Sequence, residues 1–305
     1  KRTSPRSFNA STLEEVGKRD DDELIFVEPA KTTQHLLLFT NLGNAIYRPI
    51  HELTDTKWKD IGEHLSQTLI NFEQEEEILF AEIVDRFEGV TYFAATQQGQ
   101  IKRFERKELS PWRTYRSKST KYAKLKDQDD RIVAVAPVVL EDIMIITKNG
   151  YGLRFNIEEV PVVGAKAAGV KAINLKDGDQ VAAAFKSTTP SMYILTQRGS
   201  LKRMLQDDIP VTSRAKRGLQ VLRELKNKPH RVFKAGPVFT DQGDFDLFTS
   251  QEEVAEQDQI LQITSTTGQV TEVDLTQLSI SERTSNGSFV NDTISDQEVF
   301  SATIK

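Results

Sequence analysis

Pairs of cationic residues recur in this sequence at positions suited to holding phosphate groups. Lys102-Arg103 and Lys202-Arg203 lie three and four residues after a glycine, Gly99 in one case and Gly199 in the other. Lysine and arginine side chains donate hydrogen bonds without accepting any, and arginine matches the geometry of phosphate oxygens. If the two pairs occupy equivalent positions in a repeated structure, they align along one rim, as the regular charges of a nucleic-acid backbone require.

Three further segments bring cations together with aromatic or small residues. Ser110–Asp127, the aromatic connector, interleaves them with one Trp and two Tyr, which suits phosphate contacts combined with packing on sugars or bases. Val162–Val170, the alanine connector, and Val211–Leu219, the arginine connector, add glycines that let a backbone approach a phosphate closely. The candidate nucleic-acid-binding residues are Lys102, Arg103, Arg113, Arg116, Lys118, Lys121, Lys166, Lys202, Arg203, Arg214, Lys216 and Arg217.

A structural interpretation of the same segments stays open. The aromatic residues could belong to a core, and the lysines could form a solvated edge that prevents strand pairing. The alanine connector is equally compatible with a plain turn.

The net charge of −5 conceals a strong segregation of charge along the chain. Residues 1–90 carry 10 basic and 18 acidic side chains, residues 91–235 carry 28 and 14, and residues 236–305 carry 2 and 13. The middle segment therefore has a net charge of +14. This favours nucleic acid as a partner of the middle segment, whereas the acidic flanks should bind it poorly.

The sequence contains no pattern typical of catalysis or metal binding. The 4 His have no metal-ligand spacing, no nucleotide-binding or hydrolase motif occurs, and the absence of Cys excludes disulfides and cysteine-ligated zinc. No apolar run approaches the roughly 18 residues of a membrane-spanning helix. We therefore expect no small-molecule substrate.

One hairpin pattern occurs five times: an apolar run, a Thr or Ser, a short polar stretch, a Gly, and a second apolar or basic run. The Gly supplies the positive φ that a tight turn needs. The five hairpins are Leu36–Ile50, Thr91–Glu105, Asp142–Phe155, Ser191–Met204 and Ile260–Asp274. A second pattern, polar turn residues before a short apolar strand, occurs at Asp21–Val27, Glu76–Ile83, Asp129–Val135, Asp179–Phe185, His230–Ala235 and Asp296–Ile304. We expect the acidic residues there to cap turns and strands rather than to act as catalysts.

These alternating patterns predict an all-β, propeller-like fold of six four-stranded blades, or of five and a partial one. Lys1-Arg2 matches the basic end of a hairpin, so the chain is expected to begin inside its first repeat, as a fragment without an initial Met. Short helices are predicted at Ser11–Val16, Asp60–Leu65 and Thr276–Leu278. Residues 1–305 then form one domain with repeats at about 1–34 (partial), 35–90, 91–141, 142–190, 191–240 and 241–305.

The order of hairpin, connector and strand resembles, over essentially the whole chain, the C-terminal domain shared by the A subunits of DNA gyrase and topoisomerase IV. Leu38–Asp60 especially resembles topoisomerase IV of Gram-positive bacteria. The resemblance implies a β-pinwheel, a propeller relative in which neighbouring blades exchange strands. It also implies a non-catalytic domain that binds and bends duplex DNA on its rim, and that presents the transported segment for ATP-dependent decatenation and relaxation.

The same resemblance implies that the catalytic tyrosine lies elsewhere in the A subunit, whereas the ATPase lies in the B subunit. Mg²⁺ and ATP then belong to the whole type IIA topoisomerase, and this domain needs no cofactor. The isolated domain is expected to be monomeric, and the enzyme to be cytoplasmic and associated with the chromosome, or peripheral to the inner face of the membrane.

Gyrase carries a box close to Gln-Arg-Arg-Gly-Gly-Lys-Gly in its first connector, where it is needed to wrap DNA. The matching slot, Ser4–Gly17, contains Arg6 but no such box, and the nearest approach to one is Arg214–Gly218. This departure favours topoisomerase IV over the alternative of a gyrase wrapping domain. Two other classes stay open: a propeller scaffold that binds an acidic protein, and a propeller hydrolase with convergent carboxylates or metal ligands in a central channel.

Overall fold

The computed structural model describes residues 1–8, 11–20, 22–176, 178–239, 259–290 and 298–305. Over these ranges the regular structure is almost entirely β, as predicted. One short helix, α1 (Pro5–Phe8), is joined by 3₁₀ turns at Leu13–Glu15, Ile50–Glu52, Leu65–Gln67, Arg106–Leu109, Ile157–Glu159, Gln206–Asp208 and Leu275–Gln277. No helix of this described part is long and apolar enough to cross a membrane. The predicted helices Ser11–Val16 and Thr276–Leu278 overlap 3₁₀ turns. The predicted helix Asp60–Leu65 is mainly irregular, and the turn Leu65–Gln67 begins at its last residue.

The described strands form five antiparallel sheets, each built on one predicted hairpin. The first, in the order β3-β1-β2-β6, contains β1 (His35–Thr40), β2 (Asn44–Pro49), β3 (Ile78–Val84) and β6 (Thr120–Lys121). The second, β10-β5-β4-β7, contains β4 (Thr91–Thr96), β5 (Gln100–Glu105), β7 (Ile132–Val138) and β10 (Val170–Lys171). The third, β11-β8-β9-β14, contains β8 (Asp142–Thr147), β9 (Tyr151–Asn156), β11 (Val181–Lys186) and β14 (Leu219–Gln220). The fourth, β15-β12-β13-β18, contains β12 (Ser191–Thr196), β13 (Ser200–Leu205), β15 (Val232–Val238) and β18 (Ser288–Phe289). The fifth, β17-β16-β19, contains β16 (Ile260–Ser265), β17 (Val270–Asp274) and β19 (Val299–Ile304).

Each hairpin turn is held by the Thr or Ser that recurs in the sequence pattern. In the β8–β9 turn, the Thr147 hydroxyl accepts a hydrogen bond from the backbone N–H of Tyr151 at 3.1 Å, and Gly150 adopts a φ of 83°. Thr40, Thr96, Thr196 and Ser265 make the same bond to the residue four positions later. The hydroxyl satisfies a backbone donor that the turn leaves unpaired, and glycine allows the positive φ.

The fourth strand of a sheet comes from the connector of the following repeat. Thr120 and Lys121 pair with Ala45 and Asn44 at the edge of the first sheet. The strands β10, β14 and β18 join the second, third and fourth sheets in the same way. This exchange of strands between neighbouring repeats confirms the pinwheel expectation.

Polar residues that precede the outer strands cap the hairpin turns, as predicted. Glu76 accepts a hydrogen bond from the Thr40 hydroxyl at 2.6 Å, and Asp179 accepts one from the Asn149 backbone N–H at 3.0 Å. The predicted strand at Asp21–Val27 does not form over its described residues, 22–27. Elsewhere such a strand pairs with the first strand of its own hairpin, and the described chain contains no hairpin before this segment. Residues 21, 241–258, 296 and 297, which complete other predicted segments, lie outside the described residues.

The chain divides into two compact units. The first comprises 1–94, 103–137 and 162–168, and the second comprises 95–102, 138–161 and 169–305. The core of the first is rich in aromatic residues, with Phe39, Tyr92, Phe104 and Tyr122 fully buried. The second contains two aliphatic clusters, one around Ile146 and Ile194 and another around Leu195 and Leu261. The repeat predicted at 1–34 contributes no strand to a sheet, so the described residues fit the version of the prediction with five blades and a partial one.

Candidate nucleic-acid interface

The lysines of the two Lys-Arg pairs are buried rather than presented to solvent. Lys102 and Lys202 are 3% and 2% exposed. The Nζ of Lys202 donates hydrogen bonds to the backbone carbonyls of Val221, Arg283 and Ser285, at 2.5, 2.6 and 2.8 Å. Burial lowers the pKa of Lys202 to about 7, with Arg283 acting in the same direction and Asp208 against it. Both lysines are therefore corrected from candidate DNA contacts to structural residues, because an external phosphate cannot reach their side-chain nitrogens.

The arginine of each pair also contributes to the fold. Arg203 donates from its Nε to the Ser191 hydroxyl at 2.9 Å and from its Nη1 to the carbonyl of Thr276 at 2.7 Å. Arg103 and Arg203 both form parallel bridges with the following connector, to Val162 and Ile280 respectively. Half-buried arginines in these positions are less available to a ligand than the sequence pattern predicts.

Lys1-Arg2 makes backbone contacts similar to those of Lys202-Arg203, although Lys1 is exposed. Arg2 forms a parallel bridge with Asp55. The Nζ of Lys1 donates to three carbonyls, those of Gly17 at 3.2 Å and of Trp58 and Asp60 at 2.5 Å. Lys1 and Lys202 therefore each donate to three backbone carbonyls, which gives the lysine of these two pairs a structural role.

The glycines at the ends of two connectors allow close packing of backbone on backbone. A Cβ on Gly169 would lie 2.4 Å from the carbonyl oxygen of Ile101, and one on Gly218 would lie 2.4 Å from that of Gly152. Both glycines let an exchanged strand approach its sheet closely. The expectation that they allow close approach of a phosphate is therefore wrong, because strand backbone occupies that space. Gly164, by contrast, has open space around it, with Glu108 Oε2 at 4.0 Å.

The aromatic connector presents several unpaired cations. Arg113, Lys118 and Lys124 are exposed, and the side chain of none of them makes a hydrogen bond or ion pair with the part of the chain that the structure describes. Trp112 beside them is 71% exposed, whereas Tyr122 is fully buried and donates its hydroxyl proton to the carbonyl of Thr40 at 2.7 Å. Tyr122 therefore belongs to the hydrophobic core, whereas Trp112 is exposed and a contact with nucleic acid stays possible for it.

Two other cations of the aromatic connector already have partners. Arg116 pairs with Glu52 through two bonds, from its Nη2 at 2.6 Å and its Nε at 3.0 Å, and Tyr115 donates to the same carboxylate at 2.7 Å. These bonds, from Arg116 first and then Tyr115, hold the pKa of Glu52 below its ordinary value. Lys121 donates to the Leu42 carbonyl at 3.2 Å and to Asn44 at 3.3 Å but is exposed.

The cations of the other two connectors differ in how freely they can reach a ligand. Lys166 is exposed and has no partner within the described ranges, and Lys216 is exposed with its Nζ 2.6 Å from the Thr212 hydroxyl. Arg214 is half-buried: its guanidinium donates to the carbonyl of Lys171, and its backbone N–H donates to Glu159 at 2.9 Å.

Arg217 belongs to a cluster that the sequence analysis missed. Its guanidinium lies over the ring of Tyr151, and Lys176 lies over the same ring. Lys176 could have been found from a recurrent Leu-Lys pair at 125–126, 175–176 and 225–226. Tyr151 has a weaker signal, as the aromatic residue that follows a turn glycine where the other hairpins have Asn, Gln or Ser. Over the described ranges, no group of three or more His, Asp or Glu side chains is placed to hold a metal ion.

Repeated hairpins, exchanged strands and cationic connectors define a propeller-type domain with a basic surface. Residues 34–85, 92–138, 141–188 and 191–238 match the family described as "DNA gyrase C-terminal domain, beta-propeller", and the chain belongs to this family.

Individual relatives point to one branch of the family. Over 304 residues the chain is 67% identical to the A subunit of DNA topoisomerase 4 from Streptococcus pyogenes serotype M3, a match that covers 99% of this chain and 37% of that protein. A solved C-terminal domain of DNA topoisomerase IV is 34% identical and superposes with a TM-score of 0.85, covering 100% of this chain and 89% of that one. The chain is therefore homologous to the C-terminal domain of the topoisomerase IV A subunit, as predicted. A DNA gyrase A C-terminal domain shares the fold, at 18% identity and a TM-score of 0.64 over 95% of this chain and 91% of that one.

Proposed function

We propose that this chain binds and bends duplex DNA without sequence preference, as the non-catalytic C-terminal domain of a topoisomerase IV A subunit. The observation that carries the proposal is the set of exposed, unpaired cations of the aromatic connector, Arg113, Lys118 and Lys124. Cations without anionic partners repel one another, and a phosphate backbone relieves that repulsion while releasing its own counterions. Bending then brings more cations into contact with the same duplex.

The wider setting is part of the same proposal. The chain spans 37% of the length of the streptococcal relatives that it matches. We infer that the rest of the A subunit supplies the cleaving tyrosine and that the B subunit supplies the ATPase, so that Mg²⁺ and ATP act outside this domain. On this view the domain is monomeric when isolated, works in the cytoplasm on the chromosome, and presents the transported DNA segment during decatenation and relaxation.

The direct test is binding of random-sequence duplex DNA across a salt series. We expect the affinity to fall steeply and linearly on logarithmic axes, and to be indifferent to sequence. Replacing Arg113, Lys118 and Lys124 together by Gln should reduce the slope by about 0.9 for each phosphate that the variant no longer neutralises.

A matched control removes the same charge from another surface. Lys18, Lys31 and Lys57 are exposed, their side chains are unpaired in the described structure, and they belong to the acidic segment 1–90. Their triple Gln variant should bind DNA as the unmodified chain does. Equal losses of affinity in the two triple variants would show a general charge effect and remove the connector from the interface. No binding even at low salt would refute the proposed function and favour a protein-binding scaffold.

A further inference from the structure

One tyrosine in the third sheet holds two cations against its ring and hydroxyl. The Arg217 guanidinium carbon lies 4.9 Å from the centroid of the Tyr151 ring, and Lys176 Nζ lies 5.1 Å from it. The same cations donate hydrogen bonds to Tyr151 Oη, at 3.3 Å from Arg217 Nη2 and 3.1 Å from Lys176 Nζ. Both cations are exposed, and Tyr151 is half-buried.

The fold brings these three side chains together from three segments. Tyr151 begins β9, directly after the turn glycine, and Lys176 follows β10 later in the same repeat. Arg217 belongs to the arginine connector of the next repeat, which is anchored because Gln220 of β14 pairs with Tyr151. Strand exchange therefore positions the guanidinium over the ring.

The cluster is rich in donors and lacks an anion. Tyr151 Oη already accepts from both cations, so its own O–H proton remains available to an external acceptor. No carboxylate pairs with Lys176 or Arg217 within the described ranges, and their remaining N–H groups are also donors for a ligand. Two like charges held at one oxygen are unfavourable alone and become favourable once an anion binds between them.

We propose that Tyr151, Lys176 and Arg217 form a phosphate-binding site that, if the proposed function is correct, holds one phosphodiester of the bound duplex. A phosphate has acceptor oxygens for the guanidinium, the ammonium and the phenol hydroxyl at once. The phenol hydroxyl adds a neutral donor, which distinguishes this site from contacts made by lysine alone. The other described hairpins have Asn44, Gln100, Ser200 or Gln269 in place of Tyr151, so the site occurs once among them.

The experiment is a pair of double-mutant cycles on DNA affinity. Tyr151→Phe keeps the ring and removes the hydroxyl, and it should weaken binding about two- to tenfold, the equivalent of one hydrogen bond. Arg217→Met should weaken binding and lower the salt slope by about 0.9. Because Arg217 and Tyr151 act on one phosphate, the effect of Tyr151→Phe should largely disappear in the Arg217→Met background.

Lys226→Met supplies the matched control. Lys226 is an exposed lysine of the same recurrent Leu-Lys pair and has no aromatic partner in the described structure. Its substitution should combine additively with Tyr151→Phe. Urea unfolding of each variant checks that the fold is retained, since these side chains are outside the hydrophobic clusters.

The outcomes separate this inference from the proposed function. If the unmodified chain does not bind DNA, the proposed function fails and the DNA assignment of the site fails with it. If the unmodified chain binds DNA but Tyr151→Phe and Arg217→Met bind equally well, the site alone is refuted. If vesicles of anionic phospholipid bind in a Tyr151-dependent way while DNA affinity does not depend on Tyr151, the assignment to a DNA phosphodiester is overturned.

Discussion

Replacing Gly218 by Ala should damage the fold far more than an ordinary glycine substitution. Gly218 has a φ of +84°, and a Cβ there would lie 2.4 Å from the carbonyl oxygen and 2.8 Å from the carbonyl carbon of Gly152. The two atoms belong to strand backbone, so neither can move aside as a flexible side chain would. The added methyl group therefore pushes β14 away from β9.

Two costs and one gain set the expected size of the effect. The left-handed backbone costs Ala about 1–2 kcal/mol, and forcing apart packed backbone costs about another 1–3 kcal/mol. Ala also makes the unfolded chain less flexible than Gly does, and this offsets about 0.4–1 kcal/mol of the lost stability. We expect Gly218→Ala to lower the free energy of unfolding by about 1–5 kcal/mol, with a central value of about 3 kcal/mol.

Gly268→Ala separates the two costs. Gly268 has a φ of +83°, but a Cβ there meets no atom of the described residues within 4 Å, so only the backbone cost of about 1 kcal/mol remains. Urea unfolding of both variants measures the difference. Hydrogen exchange at the amide of Val221, which donates to the Gly150 carbonyl at 2.7 Å, reports on the attachment of β14 to β9. Gly218→Ala should also weaken DNA binding, because β14 positions Arg217. If the two variants lose the same stability, the close approach of the backbones contributes nothing and the reasoning is wrong.

Two further predictions concern charged groups. The first is a change of stability with pH, whose direction follows from the burial of Lys202. At pH 9, Lys202→Met should be about 1–3 kcal/mol less stable than the unmodified chain, because the neutral amine donates to two of the three surrounding carbonyls and the variant leaves them without a donor. Lys216→Met, at an exposed site, should change little. A folded pKa near 7 for Lys202, against about 10.4 in the unfolded chain, means that the unfolded state binds more protons between those values, so stability rises with pH there and Lys202→Met should lose that rise. A difference between the two proteins that stays constant from pH 7 to 10 would contradict this. Glu52→Gln should strengthen DNA binding and steepen its salt dependence, because it removes an anion and releases Arg116; weaker binding would instead mean that Glu52 is needed to position that arginine.

The repeated hairpins could be predicted because their signals are local. A Thr or Ser followed three residues later by a Gly encodes the turn directly, since the hydroxyl accepts from a backbone N–H four residues later and the Gly takes positive φ. Five of the six outer strands were predicted correctly from the capping residues that precede them, whereas Asp21–Val27 forms no strand over its described residues. Strand exchange was expected only through family resemblance, because strands of two residues, such as Leu219–Gln220, leave no periodicity to detect.

The candidate interface was predicted less completely because exposure depends on contacts distant in sequence. Lys202 and Lys216 look alike in the sequence, yet Lys202 is buried by carbonyls that lie 19, 81 and 83 residues away. Likewise, the residues next to Tyr151 in the sequence do not predict its contact with Arg217, which lies 66 residues further along the chain. Charge segregation located the basic part of the chain correctly, but it could not separate structural cations from available ones.

That separation follows from where each cation lies relative to the exchanged strands. Lys202, on the second strand of its hairpin, binds the carbonyls of Arg283 and Ser285 in the incoming connector and that of Val221 in its own repeat. Some connector cations, such as Arg217 just before β14, remain at the surface, whereas Arg214 of the same connector is half-buried and donates to the Lys171 carbonyl. Exposed connector cations such as Arg217 are therefore the ones that can change without loss of the fold, whereas Lys202 helps to keep a connector in place. A variant that loosens a connector should consequently bind DNA more weakly even when every exposed cation is retained, which is the result expected for Gly218→Ala.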